Sequence, residues 1–156
     1  MNHLLDTGAA SEIGVTGLSL GGYVSALLGA VEDRLAVVVP NAPVVKVGAL
    51  ARQWFPANTL LATGLRLWGL EWEEFESALA LHSPLTYSPR VARERRMIIG
   101  GLGDRLAPPE QSRWLWEHWE RPRLHWFPGN HVLHARRSRY LKEMLGFMRG
   151  VGFGPD

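Results

Sequence analysis

The stretch Ile13-Gly14-Val15-Thr16-Gly17-Leu18-Ser19-Leu20-Gly21-Gly22 decides how the rest of the chain is read. Ile13 to Leu18 is a short apolar run, consistent with a strand buried on both faces of a parallel sheet. Gly21 to Val31 follows at once. Its small and apolar residues (Gly22, Ser25, Ala26, Leu27, Leu28, Ala30) fit a helix packed closely on that sheet. Between the two lies Gly17-x-Ser19-x-Gly21. A chain that turns from strand to helix within about two residues strains the residue at the turn and lifts its side chain clear of the sheet. It also places Ser19 at a helix N-terminus, where unpaired N–H groups favour developing negative charge. Side chains at Gly17 or Gly21 are expected to collide with the neighbouring helix or strand. With 17 glycines among 156 residues an accidental match is not rare, so the surrounding pattern must carry the reading.

Outward from this turn, Leu35 to Val39 reads as a second buried strand, ended by Pro40. Arg96 to Gly100 reads as a third. Leu124 to Phe127 reads as a fourth, ended by Pro128 and Gly129. Pro108 and Pro109 open a helix running to about Glu120, since proline is tolerated where the first-turn N–H has no partner anyway. Ala135 to Arg149 is an amphipathic helix with Tyr140, Leu141, Met144, Leu145 and Met148 on one side. His3, Leu4 and Leu5 read as the end of an earlier helix. Alternating strands and helices imply an α/β fold, a parallel sheet of about four strands with flanking helices and right-handed crossovers. Residues 46–82 break the alternation. They carry Trp54, Phe55, Trp68, Trp72 and Phe75 without a strand and read as two or three short helices between strands two and three. Such an insertion is expected to lie over the C-terminal ends of the strands as a lid, with Trp54 and Trp68 lining a substrate pocket. No internal repeat is present.

Composition narrows the classes. Apolar residues make up 46% and charged residues 21%, as in ordinary soluble globular domains. The absence of cysteine excludes disulfide scaffolds, thiolate zinc sites and cysteine nucleophiles together. No apolar run approaches the ~20 residues of a membrane helix, and Met1 to Ala10 has no basic cluster of the secretory kind. A cytoplasmic protein with no membrane span is expected. The net charge is +2, and the basic excess collects at Arg136, Arg137, Arg139, Lys142 and Arg149. A nucleic-acid surface would need a reading motif beside that charge, and none occurs, so the cluster reads as a solvated helix face. His131-x-x-His134 lacks a third ligand at metal-binding spacing from His118 or His125. No metal or cofactor is expected.

A serine hydroxyl is a weak nucleophile until a base takes its proton, and the base is usually a histidine oriented by a carboxylate. On a strand–turn–helix serine the order along the chain should be serine, acid, histidine. Gly100-Gly101-Leu102-Gly103-Asp104 follows the third strand, and Pro128-Gly129-Asn130-His131 follows the fourth. Each residue also has a plainer role open to it. Ser19 would serve as a helix N-cap, and Asp104 as a turn cap or a partner of Arg105. Glu110 is a rival acid, although it falls inside the expected helix. His134 is a rival histidine that starts the last helix or lines the pocket.

Gly17-Leu18-Ser19-Leu20-Gly21-Gly22, the Gly103 to Pro109 segment and Phe127 to His131 together resemble the C-terminal half of an α/β-hydrolase-fold serine hydrolase, in the manner of the α/β-hydrolase domain-containing proteins. The resemblance runs from about Ser11 to Phe147. It implies a single α/β-hydrolase-like domain over residues 1–156, with Ser19 as nucleophile, Asp104 as orienting acid and His131 as general base. The Leu20 N–H would be one oxyanion donor. It further implies a small-molecule substrate with an ester or related acyl bond, cleaved through an acyl-enzyme. That fold has about eight strands with the elbow after the fifth. The first four strands, and the loop giving the second oxyanion donor, are therefore expected to be missing. The chain is expected to be a shortened gene model, a fragment or one part of an assembly, able to self-associate through the exposed edge of its first strand. Two other readings stay open. One is a non-catalytic relative that needs an upstream segment or a partner. The other is a dinucleotide-binding domain built on Thr16-Gly17-x-x-x-Gly21-Gly22. In that motif Tyr23 replaces the last glycine, and the next strand ends Val39-Pro40-Asn41-Ala42 without an acidic residue.

Overall fold

The computed structural model describes residues 6–8, 10–133 and 137–154. The expected helix end at His3, Leu4 and Leu5, and the residues His134 and Ala135, lie outside them. The elements are β1 (Ile13–Leu18), α1 (Leu20–Val31), β2 (Leu35–Asn41), α2 (Val47–Gln53), α3 (Ala57–Leu67), α4 (Trp72–Ala80), a 3₁₀ turn (Arg93–Arg95), β3 (Met97–Gly101), α5 (Pro109–His118), β4 (Arg123–Phe127) and α6 (Arg137–Gly150). The four strands form one sheet in the order β1-β2-β3-β4, and every pairing is parallel. All four C-terminal ends therefore lie along one edge. Among the described residues no helix is long and apolar enough to cross a membrane.

Alternation along the strands builds two cores. Val38 and Ile98 face one side, where they pack with Ala26 of α1 and with Leu115 and Trp119 at α5. Val37, Val39, Met97, Ile99 and Phe127 face the other side, against Tyr140 and Phe147 of α6. Side chains on successive strand residues point to opposite faces, so a continuous apolar run such as Ala36 to Val39 serves both helical layers at once. Every residue of β3 is buried.

The structure departs from two expectations. Pro40 does not end β2. The strand continues to Asn41, and Pro40 sits opposite Gly17 of β1. The proline is tolerated because β2 and β3 are sparsely paired there, with only the Val38–Arg96 bridge and the Asn41–Ile99 pair between them. In α6, Leu145 does not join the buried side and is 50% exposed, whereas Phe147 is 5% exposed. At ~100° per residue Leu145 falls about 140° from Tyr140, while Met144, Phe147 and Met148 stay on the buried face.

The segment leaving β2 is tied down by Gln111 of α5. Its side-chain oxygen accepts the N–H groups of Val45 and Lys46, each at 2.8 Å, and Gln111 is 2% exposed. Gln111→Leu would leave both donors without an acceptor, at a cost of about 1–3 kcal/mol for each buried one. A urea titration should show a fall in stability within that range with an unchanged slope. The three helices between β2 and β3 form a small layer of their own. Arg52 of α2 binds Glu76 (2.9 Å) and Glu73 (3.1 Å) of α4, and its guanidinium lies 4.9 Å from the centre of the Trp72 ring.

Candidate active site

Ser19 stands between β1 and α1 with φ 58° and ψ −114°, a region that L-residues other than glycine rarely occupy. Its backbone is held from both sides. Its N–H donates to the Asn41 carbonyl at 3.0 Å, and its carbonyl accepts from the Tyr23 N–H at 2.9 Å. The Ser19 side chain makes no capping hydrogen bond, so the N-cap role is not the one its hydroxyl plays. Leu20 is the first helical residue, which leaves its N–H among those with no intrahelical acceptor.

The glycines around the turn divide unevenly. A Cβ on Gly17 would lie 2.5 Å from the carbonyl atoms of Gly21, and a Cβ on Gly22 would lie 2.6 Å from the Asn41 carbonyl oxygen. A Cβ on Gly21 would meet nothing within 4 Å. The expected collision at Gly21 is therefore corrected. Gly21 presents its backbone to Gly17 and its hydrogens to open space, and Gly22 carries the steric demand instead. Gly21→Ala should leave stability unchanged or raise it by up to about 1 kcal/mol, the helix preference of alanine over glycine. Gly17→Ala should shift the strand–helix junction and lower the melting temperature sharply. Thermal melts of the two variants side by side check both.

At the far side of the same edge, Asp104 follows β3 and His131 follows β4. His131 Nδ1–H donates to Asp104 Oδ2 at 2.7 Å. The aspartate side chain is fully buried and the histidine side chain 16% exposed. Asp104 Oδ1 accepts two backbone N–H groups, from Leu106 at 2.9 Å and Ala107 at 2.8 Å. Asp104 is thus a turn cap and a histidine partner together, one oxygen for each task. Glu110, the rival acid, pairs at 3.9 Å with Arg113 one turn along α5.

The loops carrying Asp104 and His131 are joined to each other. Leu102 N–H donates to the Phe127 carbonyl (3.0 Å) and Gly103 N–H to the Gly129 carbonyl (2.9 Å). A Cβ at Gly103 would come within 2.8 Å of that same Gly129 oxygen. The Asn130 side chain accepts from the N–H groups of Val132 and Leu133 at 3.0 and 2.8 Å, which folds the chain back just after His131. The structure thus brings Asp104 and His131 into contact. It sets Ser19 on the same C-terminal edge of the sheet, at the end of β1.

An open hollow of about 670 Å³ adjoins His131, lined also by Arg105, Leu106, Val132 and Leu133. Trp54 and Trp68, expected in the substrate pocket, line neither this hollow nor the cavity beneath α2 and α4. They are 43% and 84% exposed. Trp54 sits at the C-terminal cap of α2, and α3 buries Leu65 while turning Leu60, Leu67 and the following Trp68 outward. His134 lies outside the described residues. Asn41 belongs to the site although no motif in the sequence marks it. Its carbonyl positions Ser19, and its buried side-chain oxygen has no partner among the described residues. Its only sequence signal is its place at the end of the strand next to the serine. Among the described residues no group of three or more His, Asp or Glu is placed to hold a metal ion.

No protein-family profile matches the chain. Two uncharacterized proteins of Mycobacterium tuberculosis, from strains CDC 1551 / Oshkosh and H37Rv, are each 36% identical to it over 126 residues. The match takes in 78% of this chain, but the chain spans only 29% of the length of those relatives. A puromycin-hydrolyzing peptidase of M. tuberculosis superposes on 99% of the chain with a TM-score of 0.73 at 21% identity, using 25% of its own length. An α/β hydrolase from the metagenome of lagoon sediments at Mar Chica, Morocco, superposes on 97% with a TM-score of 0.64 at 16% identity, using 68% of its own length. These likenesses show the fold: the four parallel strands and their flanking helices are those of an α/β hydrolase.

Proposed function

We propose that the chain carries the Ser–His–Asp machinery of a serine hydrolase that cleaves an ester or related acyl bond through an acyl-enzyme. The observation that carries this reading is the 2.7 Å contact between His131 Nδ1 and Asp104 Oδ2, on the sheet edge where Ser19 sits at φ 58°. With its Nδ1 proton held by Asp104, the imidazole keeps its Nε2 lone pair for a serine hydroxyl. His131 takes the hydroxyl proton as Ser19 Oγ bonds to the acyl carbon, then returns it to the leaving group. Water repeats the sequence and frees the serine. The Leu20 N–H serves as one oxyanion donor, and each such donor is worth about 10²–10³ in rate.

The two solved structures described above carry the names of a hydrolase and of a peptidase that hydrolyses puromycin, which fits acyl cleavage as the reaction class. The apolar lining beside His131 suits an apolar acyl or leaving group. Helices α2 to α4 leave from the C-terminal end of β2, and we read residues 46–82 as a lid over that edge. Among the described residues β1 pairs on one side, with β2, and we read its other edge as able to self-associate through strand pairing, which sedimentation at rising concentration measures. The test of the reaction is a fluorophosphonate probe. Wild-type protein should be labelled at Ser19 and Ser19→Ala should not be. A wild-type chain that stays unlabelled while folded would favour a silent scaffold instead.

A further inference from the structure

A second cavity lies on the α1 side of the sheet, one helical turn past Ser19, and shares no lining residue with the hollow beside His131. Its volume is about 470 Å³, within the ~300–1,000 Å³ of small-molecule sites. Val45, Leu79, Leu85 and Trp114 give it apolar walls. The polar groups in those walls are largely used up on each other. The Tyr23 hydroxyl donates to the His82 carbonyl, and the Ser83 hydroxyl donates to the Val45 carbonyl at 2.8 Å. Of the two charged lining residues, Glu76 is held by Arg52 at 2.9 Å. The other is Lys46. Its ammonium lies 4.6 Å from the centre of the Trp114 ring, and it forms no ion pair with any described carboxylate. The result is an apolar chamber with one exposed cation at its rim, seated on the Trp114 ring and without a carboxylate partner among the described residues.

We propose that this cavity binds an apolar molecule ending in a carboxylate, with the apolar body against Val45, Leu79, Leu85 and Trp114 and the carboxylate on Lys46. The apolar body supplies affinity by leaving water. The ammonium supplies selection, because a chain ending in a hydroxyl or an amine leaves the cation unpaired or repels it. The segment bearing Lys46 is the one clamped by Gln111, so the cation is presented on a backbone that is already in place. The site does not depend on the Ser19 chemistry, and the two readings can fail separately.

Calorimetric titration with decanoate, decanol and decylamine, each below its aggregation concentration, tests the proposal. Decanoate should bind saturably and at least about 10-fold more tightly than decanol, with decylamine weakest. Lys46→Gln should remove most of the preference for decanoate over decanol. Ala49→Phe, which fills the cavity from α2, should remove binding of both. Ser19→Ala should bind decanoate as wild type does. His82→Gln serves as a comparison, since His82 also lines the chamber. The proposal is overturned if decanoate and decanol bind equally, if Lys46→Gln leaves decanoate affinity unchanged, if His82→Gln abolishes the preference in its place, or if no saturable binding occurs in folded protein.

Discussion

On the proposed mechanism, Asp104→Asn should lower kcat by about 10⁴-fold and leave the fold nearly as stable as before. Asparagine keeps one side-chain oxygen, which can go on accepting the Leu106 and Ala107 N–H groups that now bond Oδ1. What changes is the group facing His131. An amide NH₂ in place of Oδ2 meets Nδ1 as a donor, so the imidazole moves its proton to Nε2. That nitrogen then cannot accept the proton of Ser19, and losses of about 10⁴ follow from this wrong tautomer. Asp104→Ala makes the contrast. It removes the histidine partner and strands two backbone donors, so it should cost about 1–3 kcal/mol in stability on top of the loss in activity. For a chain of this size that is a fall in melting temperature of roughly 2–4 °C per kcal/mol. Ester hydrolysis kinetics and thermal melts on both variants separate the two tasks of one side chain. Equal melting temperatures for Asp104→Ala and wild type would show that Oδ1 does not hold the turn.

The second large effect is at Ser19. With Ser19 as the proposed nucleophile, Ser19→Ala should lower kcat by about 10⁶-fold, because a nucleophile and its base act as a unit and removing either forfeits the covalent route. Ser19→Gly should be equally inactive and yet more stable. The serine occupies φ 58°, ψ −114°, and a non-glycine residue in such a region stores about 1–3 kcal/mol of strain. Glycine releases the strain and gives back about 0.5–1 kcal/mol in backbone entropy. The net gain, up to about 2 kcal/mol, should appear as a raised denaturant midpoint. A Ser19→Gly variant less stable than Ser19→Ala would mean that the turn is not strained.

These effects rest on features that the sequence exposes to different degrees. β1 and α1 are legible because a strand buried on both faces must be apolar throughout, and a helix lying close on a sheet must be rich in small residues. The Asp104–His131 pairing is legible in part: each follows an apolar run that reads as a strand, in the order serine, acid, histidine, and the family resemblance supplies their roles. Which glycine bears the steric load is not legible. Gly21 and Gly22 are alike in sequence, and only the approach of Asn41 from the next strand distinguishes them. Gln111 gives no signal either, since a glutamine inside a helix looks solvent-facing until the segment after β2 is seen to need an acceptor. The tryptophans of residues 46–82 read as pocket residues because an insertion between strands two and three is expected over the C-terminal edge of the sheet. In helices as short as α2 and α3, end residues such as Trp54 and Trp68 fall outside the buried stripe.

The most direct test is the rate at which a fluorophosphonate captures Ser19 in wild type, His131→Ala and His134→Ala, with the modified peptide located by mass spectrometry. The account predicts capture at Ser19 in wild type, its loss in His131→Ala and only a modest slowing in His134→Ala. Capture in His131→Ala at the wild-type rate, or an equal loss in both histidine variants, would contradict it.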